Sequence, residues 1–156
     1  MKKLILAIVA VVVTTLSVDA QVLIESPHPD LDVKITRCSY ASGTVVIDMV
    51  LTNYGDETSF DSRGSAVQIY DDEGNAYTSS NTKILLGLTS LGLGTSKQII
   101  LPQDIPLKFR LQIEGISPKA SKFTLVKFPP HYGGSENIMG FDRSKAIMIR
   151  NLEWSK

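Results

Sequence analysis

Leu107, Phe109, Leu111 and Ile113 alternate with Lys108, Arg110, Gln112 and Glu114. A side-chain period of two belongs to an extended strand with one dry face and one wet face, and no helix can use it. Val45, Ile47, Met49 and Leu51 repeat the pattern, with Asp48 and Thr52 on the other side. Further strand-like runs fall at 65–70, 82–86, 97–101, 122–128 and 145–152. The run 122–128 is apolar on both faces apart from Thr124 and Lys127, which predicts a central place in a sheet. Near the N-terminus Leu31, Val33 and Ile35 share a face, but Cys38 and Tyr40 fall on the other. One extra residue near Thr36 and Arg37, taken up as a bulge, would restore the register. No window keeps apolar spacings of three and four over ten residues, so helices are not expected.

Turn chemistry separates these runs. Residues 41–43, Ala-Ser-Gly, predict a short hairpin, and Asp71-Asp-Glu-Gly-Asn75 predicts another with Gly74 or Asn75 at positive φ. Pro102 and Pro106 bracket a corner, Pro129 and Pro130 close a strand, and 117–120 has room for one helical turn at most. Short strands with turns every 8–12 residues predict an all-β, immunoglobulin-like antiparallel sandwich of about seven to nine strands. No internal repeat, low-complexity tract or linker interrupts the chain, so residues 22–156 read as one domain.

Residues 1–20 have a different character. Lys2 and Lys3 precede an uncharged apolar run, and small or polar residues lead to Val18-Asp-Ala20. That layout predicts a secretory signal peptide cut between Ala20 and Gln21, and the apolar run is too short for a stable span of the hydrocarbon core. The expected location is the periplasm or the exterior. Without Lys2, Lys3 and Asp19, the chain keeps 14 of its 16 basic and 15 of its 16 acidic side chains, a net charge of about −1. So even a balance supplies no long-range attraction to nucleic acid or an anionic membrane. Cys38 is the one cysteine, which rules out an internal disulfide and suits a small buried hydrophobe.

A resemblance adds to this reading. The segment Asp48–Asn53 followed by Gly55-Asp-Glu-Thr-Ser-Phe60, the Asp71–Tyr77 hairpin, the Pro-bracketed stretch 101–109 and the run 114–123 resemble small secreted bacterial immunoglobulin-like domains. These are domains of unknown function related to a mycobacterial secreted immunoprotective antigen. The similarity covers about residues 31–128. It implies the same sandwich and carries over no catalytic residues.

The chemical motifs are mostly excluded. Gly87 and Gly92 have the separation of a phosphate-binding loop, but Leu93 stands where its lysine must be, and a strand-like run follows instead of a helix. Leu88 and Leu91 then either plug one end of the sandwich or form an apolar contact patch. His28 and Asp30 are close in sequence, and Asp71, Asp72 and Glu73 cluster, yet neither group has metal-ligand spacing. No serine lies in a nucleophile motif, and Cys38 sits in a strand away from any activating setting. No catalytic residue, metal or cofactor is therefore expected.

The segment 129–141 is the strongest binding candidate, because it gathers His131, Tyr132, Met139 and Phe141 in a long loop at a sandwich end. The reading that follows is an exported, non-catalytic binding module of the cell envelope or exterior. Its partner would be a protein, peptide or glycan, met through His131, Tyr132, Met139, Phe141, Leu88 and Leu91. The competing readings are a small secreted hydrolase with an acidic site assembled by the fold, and a structural subunit that pairs through a strand edge.

Overall fold

The computed structural model describes residues 21–62, 67–87, 89–91, 97–128 and 146–155. The expected leader 1–20 lies outside them. Among the described residues the chain forms β1 (Leu23–Glu25), β2 (Leu31–Ala41), β3 (Thr44–Asn53), β4 (Thr58–Ser62), β5 (Gln68–Asp71) and β6 (Ala76–Tyr77). It continues with β7 (Thr82–Leu86), β8 (Thr89–Leu91), β9 (Lys97–Leu101), β10 (Leu107–Glu114), β11 (Lys122–Phe128) and β12 (Ile147–Glu153). The count exceeds the seven to nine expected because β1, β6 and β8 are two or three residues long, and β4 carries no alternating pattern.

One sheet has the order β1-β12-β11-β5-β6 and the other β2-β3-β10-β7-β8, every ladder antiparallel. The two sheets pack face to face. Val45, Ile47, Met49 and Leu51 of β3 and Phe109, Leu111 and Ile113 of β10 are all buried, as the alternation requires. Opposite them lie Ile69, Phe123, Val126, Ile147, Ile149 and Leu152 of the other sheet, also buried. Burying each such side chain contributes roughly 1.5–3 kcal/mol, and this is the main stabilising term. β11 lies in the middle of its sheet, where its two-sided apolar character had placed it.

The register slips are where sequence and fold meet most closely. β2 shifts against β3 between Ile35 and Arg37, which is the expected bulge, so Cys38 and Tyr40 pack on the core with Leu31 and Val33. β11 shifts against β5 between Phe123 and Leu125, leaving Thr124 exposed while Phe123 and Val126 both point inward. Directly across the ladder Asn151 takes φ 55°, and the inward residues of β12 step from Ile149 to Leu152. Past this bend Trp154 packs 4.8 Å from Phe123 and 6.3 Å from Tyr40. Ser155 then bonds to β2 of the opposite sheet, accepting from Tyr40 N at 2.9 Å and donating to Cys38 O at 3.3 Å. The C-terminal strand thus ties both layers together.

The turns follow their residues. Ser42 and Gly43 have φ of 48° and 79°, both positive as a type I′ hairpin turn requires. Gly74, with φ 84°, turns the β5–β6 hairpin. Residues 117–120 make a single turn closed by Ala120 N donating to Ser117 O.

Beyond the β3–β10 pair the two chains continue as a separate β4–β9 ribbon, and Asn53 holds the junction. It is 2 % exposed. Its amide Nδ2 donates to Asp56 O at 2.8 Å and to Gly55 O and Leu101 O at 3.3 Å, while Oδ1 accepts from Gly55 N. Its own carbonyl accepts Asp104 N at 2.7 Å, and the next amide, Tyr54 N, donates to Asp30 O. A Cβ on Gly55 would stand 3.0 Å from Asp30 Oδ2 and 3.3 Å from Asp30 Cβ, so a larger residue there would push the Asp30 side chain aside.

Three segments, at Asp30, 53–56 and 101–104, meet around this residue, and only asparagine or glutamine both donates and accepts as its amide does. Asn53→Asp, which sets a carboxylate against three carbonyl oxygens, is expected to cost on the order of 3 kcal/mol. The urea unfolding midpoint checks this, and an unmoved midpoint would remove Asn53 as the anchor.

Candidate functional site

The site is built from the outward side chains of the β2-β3-β10-β7 sheet. The inward positions of β3 are apolar up to the buried Asn53 at its end, and its outward positions include Val46 and Val50 beside Asp48, all half-buried. On β10 the outward residues are Lys108, Arg110, Gln112 and Glu114, and on β7 they are Lys83 and Leu85. Thr36, Asp48, Val50, Leu85, Lys108 and Arg110 line an open groove of about 680 Å³ across this face, a size typical of ligand sites. Gly87, at φ 57°, closes one end, its N–H donating to Lys108 O.

The charges on this face are set by the ladder. Arg110 lies directly opposite Asp48 on β3 and opposite Leu85 on β7. Its guanidinium makes a two-pronged bond to Asp48, Nη2 standing 2.9 Å from Oδ2. That hydrogen bond, with the attraction of the carboxylate, raises the Arg110 pKa above its ordinary value. Further along, Lys83 pairs with Glu114, and this hydrogen bond holds the Glu114 carboxyl below its ordinary range. Lys108 sits at the groove rim opposite Val50 and has no ion pair among the described residues. The groove therefore sets Val50 and Leu85 on opposite sides of β10, whose Lys108 and Arg110 lie between them, Arg110 neutralised by Asp48.

The acidic cluster at 71–73 has a different job. Asp71 is 2 % exposed, and its carboxylate is filled by four donors. Oδ1 accepts from Glu73 N at 3.0 Å and Asn75 N at 2.8 Å, and Oδ2 from Asn75 Nδ2 at 2.9 Å and Tyr77 Oη at 2.7 Å. Burial pushes the Asp71 pKa up, but those bonds to the charged form outweigh it and the net shift is down. Burial, then the bond to Asp71, pushes the Tyr77 phenol up to about 12. Asp72 accepts from Ser121 N and Oγ and Lys122 N, and the same balance lowers its pKa. The hairpin is thus fastened to the start of β11, not left as a solvated turn. No lone pair of Asp71 remains for a cation, and no group of three metal-binding side chains occurs among the described residues. His28 Nδ1 accepts Asp30 N at 3.1 Å, a local turn in the lead-in to β2.

Of the residues expected to bind, His131, Tyr132, Met139, Phe141 and Leu88 lie outside the described residues. Leu91 is not in a loop: it ends β8, opposite Ile84 of β7. A reversal beginning at Gly87 lets the chain add a short strand where the glycines had suggested an irregular connection. The groove residues were passed over because the wet faces of β3 and β10 read as ordinary solvent-facing positions. Val46 and Val50 were the available signal, since a solvated face has no need of two valines beside Asp48. Compared with known protein families, curated proteins and solved structures, the chain matches none.

Asp71 and Asp72 both have folded pKa values below the ordinary 3.8, so the stability they supply is present above about pH 4 and is lost as pH falls through the lowered folded values. A melting series from pH 6 downward should fall through this window, and Asp71→Asn should flatten the fall. Cys38 is half-buried on β2, and burial pushes its thiol from 9.0 up to about 12. Three pK units reduce the thiolate roughly 1000-fold near neutral pH. Ellman's reagent should label it only after denaturation, and rapid native labelling would contradict the burial.

Proposed function

We propose that the chain is an exported, non-catalytic binding module that acts in the periplasm or outside the cell, with the groove on the β2-β3-β10-β7 face as its contact surface. The observation that carries this reading is the 680 Å³ groove on a sheet whose opposite face is packed into the core. Such a surface is held in place before a partner arrives, so little ordering cost falls on this side of a complex. Its two apolar side chains, Val50 and Leu85, on either side of Lys108 and Arg110, suit an extended peptide, a protein segment or a glycan of mixed apolar and polar character. The leader-like residues 1–20 and the resemblance to small secreted immunoglobulin-like domains support export. The loop 129–141, with His131, Tyr132, Met139 and Phe141, belongs to the same proposal as a second contact at the sandwich end.

Val50→Glu with Leu85→Glu tests the groove. Both positions are half-buried and outward, and the new carboxylates face Lys108 and Arg110, so the fold should hold within about 4 °C of the parent melting midpoint. A species captured from envelope extract by the parent protein should bind the double variant at least about tenfold more weakly, the loss of roughly 1.4 kcal/mol. Equal capture by both proteins would dismiss the groove.

A further inference from the structure

β2 is the outer strand of its sheet, and its free edge is closed at both ends by its own chain. At one end Leu31 N donates to His28 O at 3.2 Å, and Ser26 Oγ donates to Leu31 O. At the other, Cys38 O and Tyr40 N are bonded to Ser155. Leu31, Val33, Ile35, Cys38 and Tyr40 pair with Asn53, Leu51, Met49, Ile47 and Val45, alternate residues along β3. Since the groups of Leu31, Cys38 and Tyr40 turn away from β3, the ladder's alternation turns those of Val33 and Ile35 the same way. Among the described residues nothing outside the ladder bonds to them. The open part of the edge is therefore three residues long, from Val33 to Ile35.

We propose that this opening is a self-association surface, on which a second copy of the chain adds its own β2 antiparallel about a two-fold axis at Val33. The charges fit that register. Asp32 and Lys34 are exposed on either side of Val33, and neither has an ion pair among the described residues. The two-fold places Asp32 opposite Lys34 of the second copy, and Lys34 opposite its Asp32, two attractive cross-strand pairs. Centring on residue 34 instead would oppose lysine to lysine. Val33 N–H and C=O exchange bonds with their counterparts. Ile35 N–H reaches Leu31 C=O of the second copy, whose second lone pair is free beside Ser26 Oγ.

The side of the edge that faces the other layer is apolar. Val22, Ile24, Val33, Ile35 and Leu152, together with Asp32 and Lys34, line an open recess of about 470 Å³ between β1 and β2, and Val22 and Leu23 are 41 % and 52 % exposed. The same axis brings this recess against its own copy, so one contact covers both apolar walls. Such a contact is isologous and closes at two chains. It goes beyond the proposed groove, which lies on the sheet face and not on its edge.

Sedimentation of the purified protein over a concentration series tests this, with circular dichroism confirming the fold of each variant. The parent should show a monomer–dimer equilibrium. D32K and K34D each turn both pairs repulsive and should weaken dimerisation at least about tenfold. An equimolar mixture of D32K and K34D restores both opposite-charge pairs and should associate as strongly as the parent. A parent that stays monomeric throughout overturns the proposal. So does a dimer that neither variant weakens, or a mixture that fails to associate.

Discussion

Two sheets can share one dry interior only if every strand keeps its apolar side chains on the inner face, and a period of two has no tolerance for an added residue. One insertion turns the rest of the strand inside out. This chain carries such insertions in β2, β11 and β12, and each is absorbed locally. β2 takes it up between Ile35 and Arg37, β11 at Thr124 and β12 at Asn151 in a left-handed conformation. The last two lie across from each other, so the β11–β12 pair bends as a unit. That bend aims Trp154 at Phe123 and carries Ser155 over to the other layer.

Two buried polar side chains do what apolar packing alone cannot. Asn53 and Asp71 each sit at the end of a strand where several backbone groups would otherwise be left without partners in the interior. An unpaired buried amide or carbonyl costs about as much as the burial of a methyl group or two contributes, so these corners need specific side chains. Asn53 both donates and accepts, which lets it join chain segments that expose opposite backbone groups. Asp71 only accepts, and its four partners are all donors. Each residue type matches the sign of the groups it gathers.

Most of the sandwich could be read from spacing because spacing is what packing acts on. Eight of the strands, the bulge in β2, the place of the first hairpin and the central position of β11 follow from alternation and turn residues. The bend at Asn151 did not, although the inward residues Ile147, Ile149, Leu152 and Trp154 step by two, three and two. An asparagine inside a strand is an ambiguous sign, and only the pairing of β12 with β11 shows that it turns the chain. β8 was missed for a related reason: three residues carry too little pattern, and it exists because β7 supplies a ladder. The inward turn of Asp71 was not legible either, because sequence does not reveal which acidic residue of a run faces inward. The groove escaped notice because it is formed by a few residues from each of several strands, brought together by a register that the sequence does not contain.

That register also decides what kind of recognition this face can perform. Arg110 falls opposite Asp48 and Lys83 opposite Glu114's end of β10, so two basic and two acidic side chains neutralise one another in pairs across the ladder. A shift of two residues in β10 would separate Arg110 from Asp48. As built, the face has little net field, in keeping with a chain whose 16 basic and 16 acidic side chains balance. Discrimination between partners must then come from short-range contact, from how well an apolar group packs against Val50 or Leu85 and whether a polar one reaches Lys108 or the Arg110–Asp48 pair. Opening that pair to bind an anion would strand a carboxylate on the groove floor, so an anionic partner has only Lys108 to meet, and a partner of mixed character fits better.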